Sequence, residues 1–166
     1  QLERDDLGQI SFGFAAEDEK PQATLTQPEV RAKLRPVLKM GFHVVVANPP
    51  YITEKDAQRR AYHREKVGKT RRYISASRTY SLGNPFTERM FQLCVEGGYV
   101  GDFNANSFMK REFGKSLIEE VLPKHQLTKV IDTSGAYFPG YGTPTVLLFG
   151  RRRNPDASLV VVVGGK

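Results

Sequence analysis

Cysteine is almost absent from this chain of 166 residues; the one thiol, Cys94, excludes an internal disulfide framework and a cysteine-based zinc site. Long apolar runs are missing too. The longest clean ones, such as Leu159-Val160-Val161-Val162-Val163, fall far short of the ~20 residues that cross a bilayer. The first residues, Gln1-Leu2-Glu3-Arg4-Asp5-Asp6, are charged rather than apolar, so no secretory leader is read and a cytoplasmic location is expected. Acidic residues are in deficit, 18 Asp and Glu against 25 Lys and Arg, a net charge of +7 with a pI near 9.6. A basic domain without lipid-binding features points toward nucleic acid. Internal repeats and low-complexity tracts are also lacking. His43, His63 and His125 have no partners at metal-ligand spacing, so no metal site is expected, and His43, before three valines, reads as a core histidine. Apolar residues make up 39%, enough for one folded core in a chain of this length.

The pattern that is present alternates strands with helices, which predicts an α/β layered sheet. Ile10, Phe12 and Phe14 fit a short strand, and residues 21–28 a loop. Val30, Leu34, Val37 and Leu38 fall near helical spacing over 29–40, with Pro36 as a kink or a late start. Phe42-His43-Val44-Val45-Val46-Ala47 is a continuous, β-branched run stopped by Asn48-Pro49-Pro50. It predicts a strand buried on both faces of a parallel sheet. Asn84-Pro85 reads as a cap and first-turn proline of a helix whose buried stripe is Phe86, Met90, Phe91, Leu93 and Cys94, ended by Gly97-Gly98. Strands are predicted over 99–105, 128–132, 145–149 and 158–163, and a helix over 115–122 stopped by Pro123.

Chemistry concentrates at Asn48-Pro49-Pro50-Tyr51, which leaves the carboxyl end of the predicted strand, the edge where open α/β sheets bind ligands. Two prolines stiffen the turn and remove two N–H donors, so it offers carbonyl oxygens and the Asn48 amide. Such a turn suits a planar nitrogen nucleophile. The Asn48 side-chain oxygen and the Pro49 carbonyl can accept from an exocyclic amine and aim its lone pair at an electrophile. Tyr51 supplies a flat face for the ring that bears the amine. Between Glu54 and Tyr73 stand eight basic residues, Lys55, Arg59, Arg60, Arg64, Lys66, Lys69, Arg71 and Arg72, against three acidic ones. This insertion reads either as a phosphate-contacting segment or as a solvated helix or loop. Lys110, Arg111 and Arg151-Arg152-Arg153 are further cationic candidates, the last equally readable as a charged strand end.

An Asn-Pro-Pro-Tyr turn after an apolar strand resembles the motif of class I, S-adenosylmethionine-dependent amino-methyltransferases, those acting on N6 of adenine in DNA above all. Residues 106–114 (Asn-Ser-Phe-Met-Lys-Arg-Glu-Phe-Gly) and 131–145 (Ile-Asp-Thr-Ser-Gly-Ala-Tyr-Phe-Pro-Gly-Tyr-Gly-Thr-Pro-Thr) are similar to the PglX-like adenine methyltransferases of BREX-type phage defence. The likeness runs from about Phe42 to Arg153. It implies the C-terminal half of a Rossmann-like class I methyltransferase sheet. It also implies catalytic roles for Asn48, Pro49, Pro50 and Tyr51, and base stacking between Tyr51 and Phe138, with Tyr137 the alternative. Phosphate contacts on double-stranded DNA would come from Lys55, Arg59, Arg60, Arg64, Lys69, Arg71, Arg72, Lys110 and Arg111. Other phage-defence proteins are implied as possible partners, and no membrane. The cofactor implied is S-adenosylmethionine, yet no glycine-rich loop or following acidic residue is readable before Phe42. The chain is therefore expected to be cut from a longer polypeptide: residues 1–41 a polar lead-in and helix, 42–153 the catalytic half, 154–166 the start of a following segment. Two alternatives stand beside this reading. One is an Asn-Pro-Pro-Tyr enzyme acting on a protein glutamine or an rRNA guanine; the other is an inactive DNA- or partner-binding remnant.

Overall fold

A computed structural model describes residues 28–133, 142–156 and 162–164. The predicted strand near Ile10, the loop over 21–27, Tyr137, Phe138 and the first part of the last predicted strand lie outside these residues. The chain divides into two units, 1–37 and 38–166, with the boundary inside helix α1, Pro28–Met40. Pro28 occupies the first position of that helix, where its missing N–H costs nothing. Pro36 lies within it.

The second unit is built on a five-stranded sheet. Strands β1 (Phe42–Ala47), β4 (Cys94–Ala105), β5 (Gln126–Asp132), β6 (Thr145–Arg151) and β7 (Val162–Gly164) lie in the order β1-β4-β6-β5-β7. The sheet is mixed rather than all parallel. β1 runs parallel to β4 and β5 parallel to β7, while β6 is antiparallel to both neighbours. β6 follows β5 in the chain and pairs with it as its antiparallel neighbour.

Helix α3 (Gly83–Leu93) and the helical turns over Leu117–Val121 and Leu122–Lys124 cover one face. Met90, Phe91, Val100, Phe108, Leu117, Val121, Val130, Val146 and Leu148 fill the core between them. Burying each such side chain contributes about 1.5–3 kcal/mol. The opposite face is uncovered: Val44 is 59% exposed, Val46 75% and Tyr99 52%. β1 has the predicted bounds but not the predicted burial, because only Val45 and Ala47 turn toward the core. His43 is exposed rather than a core residue.

Four helix signals resolve differently. α3 starts at Gly83, and the Asn84 side chain donates to the Phe113 carbonyl at 3.1 Å instead of capping. Phe86 is exposed, outside the buried stripe. Gly97-Gly98 lies inside β4, at an irregularity where the partner of β1 jumps from Cys94 to Tyr99; Gly97 there takes φ +76°. The helical path over 115–124 runs through Pro123, which sits within its last turn.

The basic insertion is a folded excursion. Helix α2 (Ala57–Arg64) is capped by Asp56, whose carboxylate accepts from the Arg59 N–H at 2.8 Å. A hairpin of β2 (Lys66–Val67) and β3 (Thr70–Arg71) follows. Its return path is fastened to α3 by Glu88, whose carboxylate accepts from the N–H groups of Ile74 (3.1 Å) and Ser75 (2.9 Å) and the Ser75 hydroxyl (2.7 Å). A bridge between Thr53 and Ser81 closes its two ends.

Candidate active site

Parallel pairing sets Ala47 beside Asp102, so the Asn48-Pro49-Pro50-Tyr51 turn leaves the sheet next to Phe103. Pro49 is buried, Tyr51 half-buried, and Asn48 and Pro50 are exposed. The Tyr51 hydroxyl lies 2.6 Å from Asn48 Oδ1 and 3.0 Å from the Phe103 carbonyl, and its one proton serves these two acceptors. The Tyr51 ring meets Phe103 edge-on, with centroids 6.2 Å apart. Burial, reinforced by the Asp102 carboxylate, pushes the phenol up to about 12, so it stays a donor at neutral pH. The consequence is directional. Tyr51 holds the amide oxygen of Asn48 in place while the second lone pair of that oxygen faces outward. The i, i+3 spacing of Asn and Tyr across a rigid turn is the signal that could have found this bond.

A buried polar cluster backs the turn, and sequence reasoning missed it. Asp102 Oδ2 accepts from the Thr87 hydroxyl at 2.5 Å and from Asn104 Nδ2 at 3.2 Å. Asn104 Oδ1 accepts from the Ala105 N–H at 2.8 Å. Asp102 Oδ1 is buried without a partner. Burial pushes this carboxyl up to about 6, against the opposing hydrogen bonds from Thr87 and Asn104. The signal was the alternation of Val100, Asp102 and Asn104 along the buried side of β4, which puts two polar residues against α3.

The same sheet edge gathers the two downstream sequence blocks. The Asn106 N–H donates to the Pro144 carbonyl at 3.0 Å, Asn106 Nδ2 to Asp132 Oδ1 at 3.4 Å, and the hydroxyls of Thr133 and Thr145 lie 2.7 Å apart. Gly114 packs so tightly against the preceding turn that a Cβ there would overlap the Phe108 carbonyl oxygen.

The predicted phosphate contacts divide into two groups. Lys55, Arg59, Lys69, Arg71, Lys110 and Arg111 are exposed, and none of them forms an ion pair with another described residue. Arg60 reaches the Glu54 carbonyl at 3.5 Å. Arg64 is tied to the carbonyls of Ala76 and Arg78 and lies over the Tyr80 ring. Arg72 pairs with Glu65 at 2.6 Å and covers the Tyr62 ring at 4.1 Å. Arg151, Arg152 and Arg153 brace the strand ends, bonding to Gly97, Cys94 and Gln126. No three His, Cys, Asp or Glu side chains among the described residues form a metal site, and none of the described helices is long and apolar enough to cross a membrane.

A mixed sheet with an amide turn leaving the carboxyl edge of β1 is the fold of class I S-adenosylmethionine-dependent methyltransferases. A structure titled as one such putative enzyme, from Listeria monocytogenes, matches with a TM-score of 0.55 at 12% identity, over 75% of this chain and 36% of that one. The chain belongs to the Eco57I restriction-modification methylase family, whose model matches residues 5–138. It is 50% identical over 129 residues to the adenine-specific methyltransferase PglX of Streptomyces coelicolor, covering 73% of this chain and 10% of that protein. It is 32% identical over 116 residues to the type II restriction enzyme and methyltransferase RM.Eco57I of Escherichia coli, covering 69% of this chain and 12% of that protein. The chain thus spans about a tenth of the length of the curated relatives it matches.

Proposed function

We propose that this chain is the base-binding half of a DNA methyltransferase that transfers a methyl group from S-adenosylmethionine to N6 of adenine, in restriction-modification or phage defence. The observation that carries the reading is the exposed Asn48 amide, aimed by the Tyr51 hydroxyl at the carboxyl edge of the sheet. The target amine donates its two N–H groups to Asn48 Oδ1 and the Pro49 carbonyl. Its lone pair is then left facing the electrophile. Tyr51 flanks the ring of an adenine taken out of the stack; Phe138, the sequence's candidate for the far face, lies outside the described residues. The cofactor supplies the electrophilic methyl group. Bound there, S-adenosylmethionine would give up that methyl with the bonding electron pair left on its sulfur, while Asn48 and the Pro49 carbonyl hold the attacking amine. The amine proton then passes to water, so no strong base is required.

The described residues fit only the acceptor side of such a cofactor. Asn48 and the proline turn can flank the transferred methyl, whereas its carboxylate and ribose need a glycine-rich turn and an acidic residue that these strands do not offer. The uncovered face bearing Val44, Val46 and Tyr99, beside an edge of β1 that pairs with no other described strand, has the character of a surface completed by further sheet and helices. Double-stranded DNA is the proposed substrate, held by the exposed cations of the insertion.

The test is methyl transfer by the polypeptide that joins this chain to its cofactor half. Labelled methyl is expected on adenine N6 of duplex DNA. Label recovered instead on a protein glutamine or an rRNA guanine would overturn the substrate assignment.

A further inference from the structure

A cleft of about 670 Å³ opens between the β2–β3 hairpin, the second half of α3 and the chain entering β5. Its position is remote from the amide turn. His125 precedes Gln126, which is level with Tyr99 through β6, whereas Asn48 leaves the sheet level with Phe103. At roughly 3.3 Å per strand residue the two places lie on the order of 15 Å apart.

The walls carry unspent positive charge. Arg71, Arg89 and Lys124 line the cleft, and none of them forms an ion pair with a described residue. The one lining carboxylate, Glu88, already accepts three hydrogen bonds from Ile74 and Ser75. Two further lining residues have buried nitrogen atoms with no partner, Arg72 Nε and His125 Nδ1. The His125 ring is fixed by stacking on Phe91, with centroids 4.1 Å apart and ring planes nearly parallel. Burial pushes its pKa down to about 4, so the ring is neutral at pH 7. Each such atom costs about 1–3 kcal/mol while unpaired, but both are closed off from the open cleft, whose charge comes from Arg71, Arg89 and Lys124.

Val67, Ile74 and Val121 give the rest of the cleft an apolar lining. An anion with several acceptor oxygens on an organic body matches both parts. The volume lies within the ~300–1,000 Å³ of small-molecule sites. We propose that this cleft binds a phosphate ester of about nucleotide size, at a site separate from the amide turn.

The test uses the full polypeptide with two probes, ATP and a short DNA duplex. Relative to wild type, Arg89→Ala/Lys124→Ala is expected to bind about tenfold or more weakly. Weakening for ATP identifies a free nucleotide as the source of the phosphate; weakening for the duplex alone identifies the DNA backbone. Unchanged affinity for both probes in the double variant overturns the proposal. The ring resonances of His125 give a second measurement that does not depend on the variant folding. They are expected to move when wild type is titrated with the probe that binds, and resonances unmoved by either probe also overturn it.

Discussion

Asn48 is the smallest part of the molecule on which the proposed chemistry depends. Its amide oxygen has two lone pairs, and Tyr51 occupies one of them. Asn48→Ala removes the acceptor but leaves the Tyr51 hydroxyl bonded to the Phe103 carbonyl, so the turn itself persists. Methyl transfer is expected to fall by on the order of 10²-fold or more, with DNA affinity nearly unchanged. Wild-type turnover in single-turnover assays would remove Asn48 from the mechanism. Asp102 makes a separate prediction about stability. Its folded-state pKa is raised, so its contribution is fully present below the ordinary carboxyl value of 3.8 and is lost as pH rises through about 6. Asp102→Asn abolishes that loss. At about 1.4 kcal/mol per pKa unit the variant is expected to gain on the order of 3 kcal/mol over wild type between pH 4 and pH 7. His125, with its lowered pKa, works in the opposite sense over the same range, losing stability as pH falls from 6.5 toward about 4. Comparing variant with wild type at each pH cancels it. Denaturant midpoints that track each other across this range would show Asp102 to be effectively solvated.

At the scale of elements, Gly114 and the insertion give the sharpest expectations. Gly114→Ala forces a methyl group into the Phe108 backbone carbonyl, which cannot swing aside as a side chain would. A destabilisation of about 3 kcal/mol is expected, readable as a lowered thermal midpoint. In the insertion, exposed and occupied cations separate. Replacing Lys55, Arg59 and Lys69 by Gln is expected to lower the slope of log affinity against log salt by about 0.9 for each phosphate no longer neutralised. A slope that stays constant would make this a solvated face. Arg64, already bonded to two carbonyls, is expected to affect folding more than salt dependence when replaced. The bounds of β1 were legible because β-branched residues run up against two prolines, both local facts. The exposure of Val44 and Val46 was not legible, because a continuous apolar run reports what a strand can bury and not what covers it. The Asn84 cap was misread for a related reason. A long-range acceptor, the Phe113 carbonyl, outcompeted the local N–H groups for its side chain. The Asn-Pro-Pro-Tyr turn was legible as chemistry. The anchoring of Tyr51 on the Phe103 carbonyl depends on parallel pairing across about 50 residues of chain, which no local pattern encodes.

For the molecule as a whole, the unequal faces of the sheet govern what the chain does alone. One face has a packed core and the other presents valine and tyrosine to water. Residues 1–166 in isolation are expected to show no saturable binding of S-adenosylmethionine by titration calorimetry, with binding restored when the cofactor half is joined to them. Micromolar binding by the isolated chain would require a complete site within it. The closure of the insertion at Thr53 and Ser81 has a consequence of another kind. A segment whose ends already touch can be shortened, lengthened or exchanged without moving the sheet on either side of it, since the loop-closure entropy varies only weakly with length. Its return path is fastened to the helical layer by Glu88 and by Ile74, which packs against the core. The outer part, α2 and the β2–β3 hairpin, buries no residue of its own and is expected to be the part that varies. On the proposed function, descendants of one sheet edge can trade this outer surface while inheriting the Asn-Pro-Pro-Tyr turn.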